Sequence, residues 1–336
     1  MRILVFEYVT GGGMAAETLP ADLVREGELM LAALLADLAE IPAMDIVALR
    51  DARLDVPGGL SQGIEWIALN RNADAARLFA EQVAHCDAAW PIAPETGGIL
   101  ERLCRLVEAA GKGLLNSPAA AVRIAASKLA TVRRLEAHGV PVVATMPLDG
   151  SPPVPKFPLV AKPDDGVGCE GTRVLETAEA WREFLGTLQA NNYLVQPWVE
   201  GEALSLSALF ADGEAKLLSI NRQHIVRENG GFALKACGVN AVNTEFAQCE
   251  DLAGRIAAAL PELWGYAGVD LIRTQNGPRV LEINPRLTTS YAGLAASTGL
   301  NPAELVLNLW RQGSLPKLDS ARRQPVDIVL EPHHGY

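Results

Sequence analysis

Asp270, Glu282 and Asn284 carry side-chain oxygens on two short runs of β-type residues, VDLIRT and RVLEIN, that flank Gln275-Asn276-Gly277. Such a junction is a strong hairpin signal. The turn decides whether the three oxygens meet. With Asn276-Gly277 as a two-residue turn, Asp270 falls opposite Ile283 and Glu282 points to the other face. With a three-residue loop of Gln275, Asn276 and Gly277, and Gly277 left-handed in a G1 bulge, the register moves by one. Asp270 then lies opposite Glu282, Asn284 opposite Gly268, and Val269, Leu271, Leu281 and Ile283 share an apolar face. The three-residue loop is therefore expected, and a tight turn is expected to part the ligands. The grouped oxygens are hard donors that suit Mg²⁺ beside phosphate. The bland alternative is a surface hairpin with solvated acids; the apolar second face and the following Asn-Pro-Arg weigh against it.

A second constellation is Gly166-Val-Gly-Cys-Glu-Gly171, which matches G-x-G-x-x-G. A dinucleotide fingerprint would open a helix, whereas Thr172-Arg173-Val174-Leu175 is strand-like. A glycine loop between antiparallel strands is instead the geometry of a flap over nucleotide phosphates. Lys162 stands before the loop, not on the strand after it as in protein kinases, and the H-R-D, D-F-G and G-x-x-x-x-G-K-[ST] motifs are absent.

These groups need a scaffold, and its pattern changes along the chain. Residues 1–117 alternate: strands at 2–8, 45–49, 88–92 and 113–115, helices at 24–38, 74–85 and 96–110, and a glycine turn at 10–13. Such alternation implies a mostly parallel, Rossmann-like sheet with ligands at the carboxyl ends of the strands. Glu7, Gly12 within Gly11-Gly12-Gly13, and Glu95 with Thr96 occupy those ends. Residues 118–195 hold a helix at 127–138, a proline-rich connection at 149–158, strands at 159–162 and 172–175, and a helix at 178–190. Residues 196–336 are richer in strand signals, with β-runs at 203–211 and 215–222 and helices at 249–260 and 302–310. Three units follow, 1–117, 118–195 and 196–336, in a chain of mixed α/β and α+β class.

Composition narrows the function. The 336 residues exceed one ordinary core, and the net charge of -11 argues against a nucleic-acid binder. Five cysteines without a C-x-x-C pair indicate neither a zinc site nor a disulfide framework, and point to the cytoplasm. No apolar run has the length of a membrane span, and residues 1–9, broken by Glu7, read as a first strand. A homodimer is compatible with this composition. His333 and His334 read as a plain tail.

Taken in order, these pieces resemble the ATP-grasp superfamily, whose nucleotide lies between two α+β lobes preceded by a pre-ATP-grasp domain. The resemblance implies ATP and Mg²⁺, two ions or Mn²⁺ in their place, held by Asp270, Glu282 and Asn284. It assigns Lys128 and Lys162 to the nucleotide phosphates, Asp165, Gly166, Gly168 and Gly171 to the phosphate loop, and Gln196, Trp198 and Val199 to the adenine hinge. Glu202 is the candidate for the ribose hydroxyls, although the family's acid often sits one residue on, where this chain has Ala203. Arg286 falls where the family has an arginine near the transferred phosphate, and Lys235 is a further phosphate candidate.

The implied chemistry is activation of a carboxylate as an acyl-phosphate and its capture by an amine, which needs positioning and charge neutralisation rather than a protein nucleophile. Cys169 is accordingly expected to pack rather than react. The amino-terminal residues and Glu282-Ile-Asn-Pro-Arg-Leu-Thr-Thr-Ser-Tyr resemble the tyramine–glutamate ligases of methanofuran biosynthesis. That branch implies small carboxylate and amine substrates, with Glu7 and Glu95 on an ammonium group and Thr288 and Thr289 on a carboxylate. An ATP-grasp ligase or carboxylase with another acceptor, and a nucleotide-binding sensor without turnover, remain the competing readings.

Overall fold

The computed structural model describes residues 1–60, 62–148, 156–166, 168–187, 192–228, 230–318 and 323–330. Val167 of the glycine loop, most of the proline-rich connection, the end of the helix expected to residue 190, and the His333-His334 tail lie outside the described residues.

The first sheet is parallel. Strands β1 (Arg2–Glu7), β2 (Asp45–Asp51), β3 (Ile64–Leu69), β4 (Ala88–Ile92) and β5 (Gly113–Leu114) align in the order β3-β2-β1-β4-β5. Helices α1 (Ala21–Ala39), α2 (Ala75–Ala84) and α3 (Ile99–Ala109) connect them. The order reverses between β1 and β4, so the crevice beyond Glu7 and Ile92 is where such a sheet receives a ligand. The sequence pattern omits β3, an edge strand that follows two glycines at positive φ, Gly59 and Gly63. The helix expected from residue 96 starts at Ile99, because Gly97 and Gly98 are both left-handed and confine residues 96–98 to one 3₁₀ turn.

Helices α4 (Ala119–Ala126) and α5 (Lys128–Ala137) follow. A four-stranded sheet comes next, with β6 (Met146–Pro147), β7 (Leu159–Pro163), β8 (Arg173–Leu175), helix α6 (Ala178–Thr187) and β9 (Tyr193–Pro197), in the order β6-β9-β7-β8. Its own core is small: Leu148, Leu159, Ala161, Leu175, Trp181 and Val195. The stretch 118–195 is thus not one lobe. Residues Ala121, Ala125, Val132, Leu135, Val140 and Val142 pack into the core of the large carboxyl-terminal sheet.

That sheet has six strands: β10 (Glu202–Ala211), β11 (Glu214–Glu228), β12 (Gly231–Val239), β13 (Gly265–Thr274), β14 (Gly277–Asn284) and β15 (Val326–Val329), in the order β14-β13-β10-β11-β12-β15. Helix α7 (Phe246–Ala259) covers one face with α4 and α5. The 3₁₀ turn Thr289–Gly293, helix α8 (Leu294–Thr298) and helix α9 (Pro302–Gln312) lie between β14 and β15 in sequence and join the other side. There one continuous core contains Ile3 and Val5 of the first sheet, Leu31 and Leu34 of α1, Leu209, Leu218 and Tyr266 of the large sheet, and Leu307 of α9.

Candidate active site

The β13–β14 hairpin has the expected register and an unexpected cause. Gly268 pairs with Asn284, Val269 with Ile283, and Asp270 with Glu282. The turn is nevertheless tight: Thr274 pairs with Gly277, so only Gln275 and Asn276 lie between the paired residues. Gly277 takes the expected positive φ, 99°. The missing residue of register is supplied by a bulge, where Asp270 pairs with Glu282 but Leu271 with Val280, leaving Leu281 extra. Val280, fully buried beside Val269, Leu271 and Ile283, thereby takes the core place expected for Leu281, which is half-buried. A short turn and grouped ligands are compatible because a bulge restores what the turn removes.

Asp270 is held on both oxygens. Gln223 Nε2 donates to Oδ1 at 2.9 Å, and Asn284 Nδ2 donates to Oδ2 at 3.0 Å. Burial and the facing Glu282 push the Asp270 carboxyl up to about 7. Burial opposes charge on Glu282 too, yet Lys128 and Lys162 outweigh it and hold that carboxyl below its ordinary value. Their Nζ atoms stand 3.4 and 3.9 Å from Glu282 Oε2. Two half-buried carboxylates facing each other, with an amide oxygen beside them, form a hard-oxygen set whose mutual repulsion a divalent cation would relieve. These residues fit Mg²⁺. Gln223, on β11 one residue beyond the strand legible in the sequence, was missed; nothing in its own neighbourhood marks it.

Lys128 opens α5, where Ser127 accepts from the Ala130 amide at 3.1 Å. The start of this helix is tied to the glycine loop by Asp164, another residue that no motif reveals. Asp164 Oδ1 accepts from the Leu129 amide at 2.8 Å, and Oδ2 accepts from the Ser127 hydroxyl at 2.7 Å. Lys128 Nζ donates to the Gly166 carbonyl. Lys162 is buried on β7, and burial draws its ammonium below the ordinary lysine value. In the loop, Gly168, Cys169 and Gly171 have φ of 59°, 66° and 68°, which turns successive peptides inward. Burial, with Glu282 and Asp270 nearby, raises the Cys169 thiol to about 11, which disfavours the reactive thiolate.

Asp165 departs from its expected role. Its carbonyl accepts from the Thr96 hydroxyl at 2.9 Å, its Oδ2 from the Gly97 amide at 3.3 Å, and its Oδ1 from Asn192 Nδ2 at 3.0 Å. It fastens the glycine loop to the turn after β4 and does not point free into the cleft.

At the hinge, Gln196 is buried and donates to Thr145 Oγ1 at 2.8 Å. The Trp198 amide donates to Pro158 O at 3.0 Å, and its ring stacks on Phe232 with centroids 6.1 Å apart; Val199 beside it is half-buried. Glu202 cannot serve this cleft. It pairs with Arg273 and Ala203 with Ile272, while Ser205 pairs with Asp270. Side chains alternate along a strand, so Ala203 and Ser205 share the face of Asp270, and Glu202 takes the opposite face. There it forms ion pairs with Arg222 and Arg273 on the α7 side of the sheet. Glu202 and Arg273 border a 770 Å³ recess with Glu245 and Gln248. Lys235, on β12, donates to Glu228 Oε2 at 3.0 Å within its own hairpin.

On the acceptor side, Arg286 is the organiser. Its Nε lies 3.0 Å from Glu95 Oε1, and Nε and Nη2 each donate to Oε2 at 3.2 Å. Glu95 is therefore committed to Arg286 rather than open to an ammonium group. Glu7 is committed as well: its oxygens accept from the Val9 and Thr10 amides at 3.2 and 2.7 Å and from the Thr10 hydroxyl at 2.6 Å. Gly27 of α1 packs against that carboxylate, since a Cβ there would come within 2.6 Å of Oε2. Gly12 has a packing reason of its own, with φ 97° and Leu69 under it. Thr288 Oγ1 joins Tyr266 Oη and Ser290 Oγ at 3.0 Å each, and Thr289 is buried. This hydroxyl layer continues to Ser207, and through Asn221 to Ser205, beneath the face that carries Asp270.

Family models place these features. An ATP-grasp domain model matches residues 125–290, and a pre ATP-grasp 3 domain model matches residues 44–122. This chain is an ATP-grasp protein. It is 27% identical over 308 residues to tyramine–L-glutamate ligase of Methanocaldococcus jannaschii, covering 91% of this chain and 88% of that one. It is also 32% identical over 155 residues to a probable alpha-L-glutamate ligase of Xanthomonas campestris, over 45% of this chain and 50% of the relative. Among solved structures, an ATP-grasp superfamily protein from Archaeoglobus fulgidus aligns with a TM-score of 0.71 at 20% identity, covering 98% of this chain and 92% of that one. An L-amino acid ligase from Bacillus licheniformis aligns with a TM-score of 0.65 at 16% identity, over 92% and 74%. The ATP-grasp architecture is thus shared across distant sequences.

Proposed function

We propose that this ATP-grasp protein is an ATP-dependent carboxylate–amine ligase that joins the γ-carboxyl of L-glutamate to tyramine or a related aromatic amine, as a step toward a methanofuran-type cofactor. The observation that carries the ligase reading is the meeting of Asp270, Glu282, Lys128 and Lys162 at one end of the β13–β14 hairpin. The substrate reading is supported by the likeness to tyramine–L-glutamate ligase along nearly the whole chain.

The carboxylate oxygen attacks the γ-phosphorus and ADP leaves. The amine nitrogen then attacks the acyl carbon, the bond to phosphate breaks, and the amine's surplus proton is lost. Lys128 and Lys162 meet the phosphate charge, and Arg286, oriented by Glu95, faces the transferred phosphoryl group. Asp270, Glu282 and Asn284 would hold Mg²⁺, two ions by our reading, with Mn²⁺ able to replace them. When bound, the metal neutralises charge on the phosphate oxygens. The polypeptide's part is to hold the reactants and keep the amide-forming step from water. Five unpaired cysteines fit a cytoplasmic setting, and among the described residues no helix is long and apolar enough to cross a membrane.

The test is ADP release with L-glutamate and a panel of amines, with the product identified by mass. Glutamate-dependent turnover with tyramine or a close aromatic amine supports the reading. Turnover only with another acid or acceptor would replace the substrates and keep the ligase. No turnover with any pair would favour a nucleotide sensor.

A further inference from the structure

A ligase that uses an amine must receive it first as an ammonium ion, and a cation entering a partly buried cleft needs a carboxylate there. The two acids nearest the crevice of the first sheet are already engaged, Glu7 with the Val9 and Thr10 backbone and Glu95 with Arg286. We infer that Glu26 of α1 receives the ammonium group of the amine substrate, an assignment that rests on the ligase reading above.

The helix geometry aims this residue. Met30, Ala33 and Asp37 follow Glu26 at the spacing that keeps one face of a helix. That face packs against the carboxyl-terminal lobe: Met30 and Ala33 join the shared core, and Asp37 accepts from Tyr291 Oη at 2.7 Å. Three turns toward the amino terminus, the same face brings Glu26 into the field of Arg286 and of Cys169 at the glycine loop. Its neighbour Arg25 donates to Leu330 O at 2.7 Å, and the Leu330 amide donates to Lys235 O at 2.9 Å, which fixes this end of α1 against β12. On α1 Glu26 is flanked by Gly27, which packs on the Glu7 carboxylate at the crevice, and by Arg25, held to Leu330, so it lies between the crevice and the carboxyl-terminal lobe.

It is also uncommitted. Half-buried, Glu26 has no hydrogen-bond or ion-pair partner among the described residues. Burial raises its carboxyl, although Arg286 favours the charged form. A carboxylate withdrawn from water without a partner is costly, and an arriving ammonium would supply the missing donor. Arg286, within the same field, keeps the acceptor side positive toward the acyl-phosphate. The amine is thus drawn to the edge of the phosphate site without entering it.

The experiment is steady-state kinetics of the full-length protein with ATP, Mg²⁺, L-glutamate and tyramine. Glu26→Gln is expected to raise KM for the amine about tenfold or more, while KM for ATP and for L-glutamate stay within about twofold. Glu26→Asp is expected to restore part of the loss. 4-Hydroxyphenethyl alcohol, with a hydroxyl in place of the ammonium, should inhibit wild type and Glu26→Gln equally. An unchanged amine KM, or a shift in the glutamate KM instead, overturns the assignment and leaves the ligase standing. Absence of wild-type turnover with every amine brings down the ligase reading and this one together. Thermal melting of each variant separates a lost contact from a lost fold.

Discussion

Glu282 faces Asp270 because β14 carries one residue, Leu281, that has no partner on β13, and not because of the turn that joins the strands. The pair is under strain without a cation: burial and Glu282 push Asp270 up to about 7. An acid whose pKa is raised by folding contributes most stability below its unfolded value, and loses that contribution as pH rises through the folded one. Asp270→Asn should therefore melt higher than wild type above about pH 7 and lose its Mg²⁺-induced rise in Tm. Turnover should fall at least ~100-fold, in line with loss of one charge-stabilising group. A variant as active as wild type would refute the metal assignment.

Gly277 offers the complementary test. With φ at 99°, an alanine there is strained, at a cost of about 1–2 kcal/mol. The register is set downstream at Leu281, so kcat at a permissive temperature should stay within about twofold of wild type, whereas the melting point drops. If kcat collapsed with the fold intact, the turn and not the bulge would govern the ligands.

Asp164 fixes the start of α5 through the Leu129 amide and the Ser127 hydroxyl. Asp164→Ala should cost about 1–2 kcal/mol, as the loss of a helix cap does. Because Lys128 follows directly, KM for ATP should also rise severalfold. Nucleotide titration calorimetry beside chemical denaturation would separate the two effects.

Glu202 is the residue on which sequence and structure disagree most usefully. It sits on the α7 side of the sheet with Arg222 and Arg273. Glu202→Gln should leave KM for ATP within about twofold and change stability by less than ~1 kcal/mol, as partly exposed ion pairs do. A large rise in KM for ATP would restore the ribose role.

Asp37 gives the protein a stability slope far from the chemistry. Burial pushes its carboxyl up to about 7, against the hydrogen bond from Tyr291. Its contribution is complete below about pH 4 and lost as pH rises to about 7, an effect on the order of 4 kcal/mol. Asp37→Asn should flatten that slope and stabilise the protein at higher pH. Urea unfolding across this range would expose an identical slope in the variant, which would rule Asp37 out as its source.

The site was legible wherever one residue type answers one need. The acid–acid–amide set, and Lys162 before the glycine loop, read from the chain itself because few side chains suit those tasks, whereas Lys128 and Arg286 were expected only through the likeness to the ATP-grasp family. Leu281 was not legible: a bulge depends on which of two leucine-like side chains, Leu281 or Val280, fills the space under α4 and α5. Glu202 was chosen only because the next position, where the family's acid often sits, is Ala203; strand alternation gives Ala203 the face of Asp270 and turns Glu202 away. Gln223, Asp164 and Asp165 act through partners distant in sequence, and short polar side chains announce no such partner. The edge strands β3 and β15 were lost because each is half exposed and borders a turn.

The core shared by Ile3 and Leu34 with Leu209 and Leu307 welds the first sheet and the six-stranded sheet into one piece. The four-stranded sheet, by contrast, keeps a separate core and is fastened at its mouth by polar contacts such as Asp165 with Thr96. Asp270, Glu282 and Lys128 thus belong with the large sheet, and Lys162 and the glycine loop with the separately cored one. The site proposed above is therefore a seam: a shift of the smaller sheet would carry Lys162 away from Glu282 and leave the hairpin as it is.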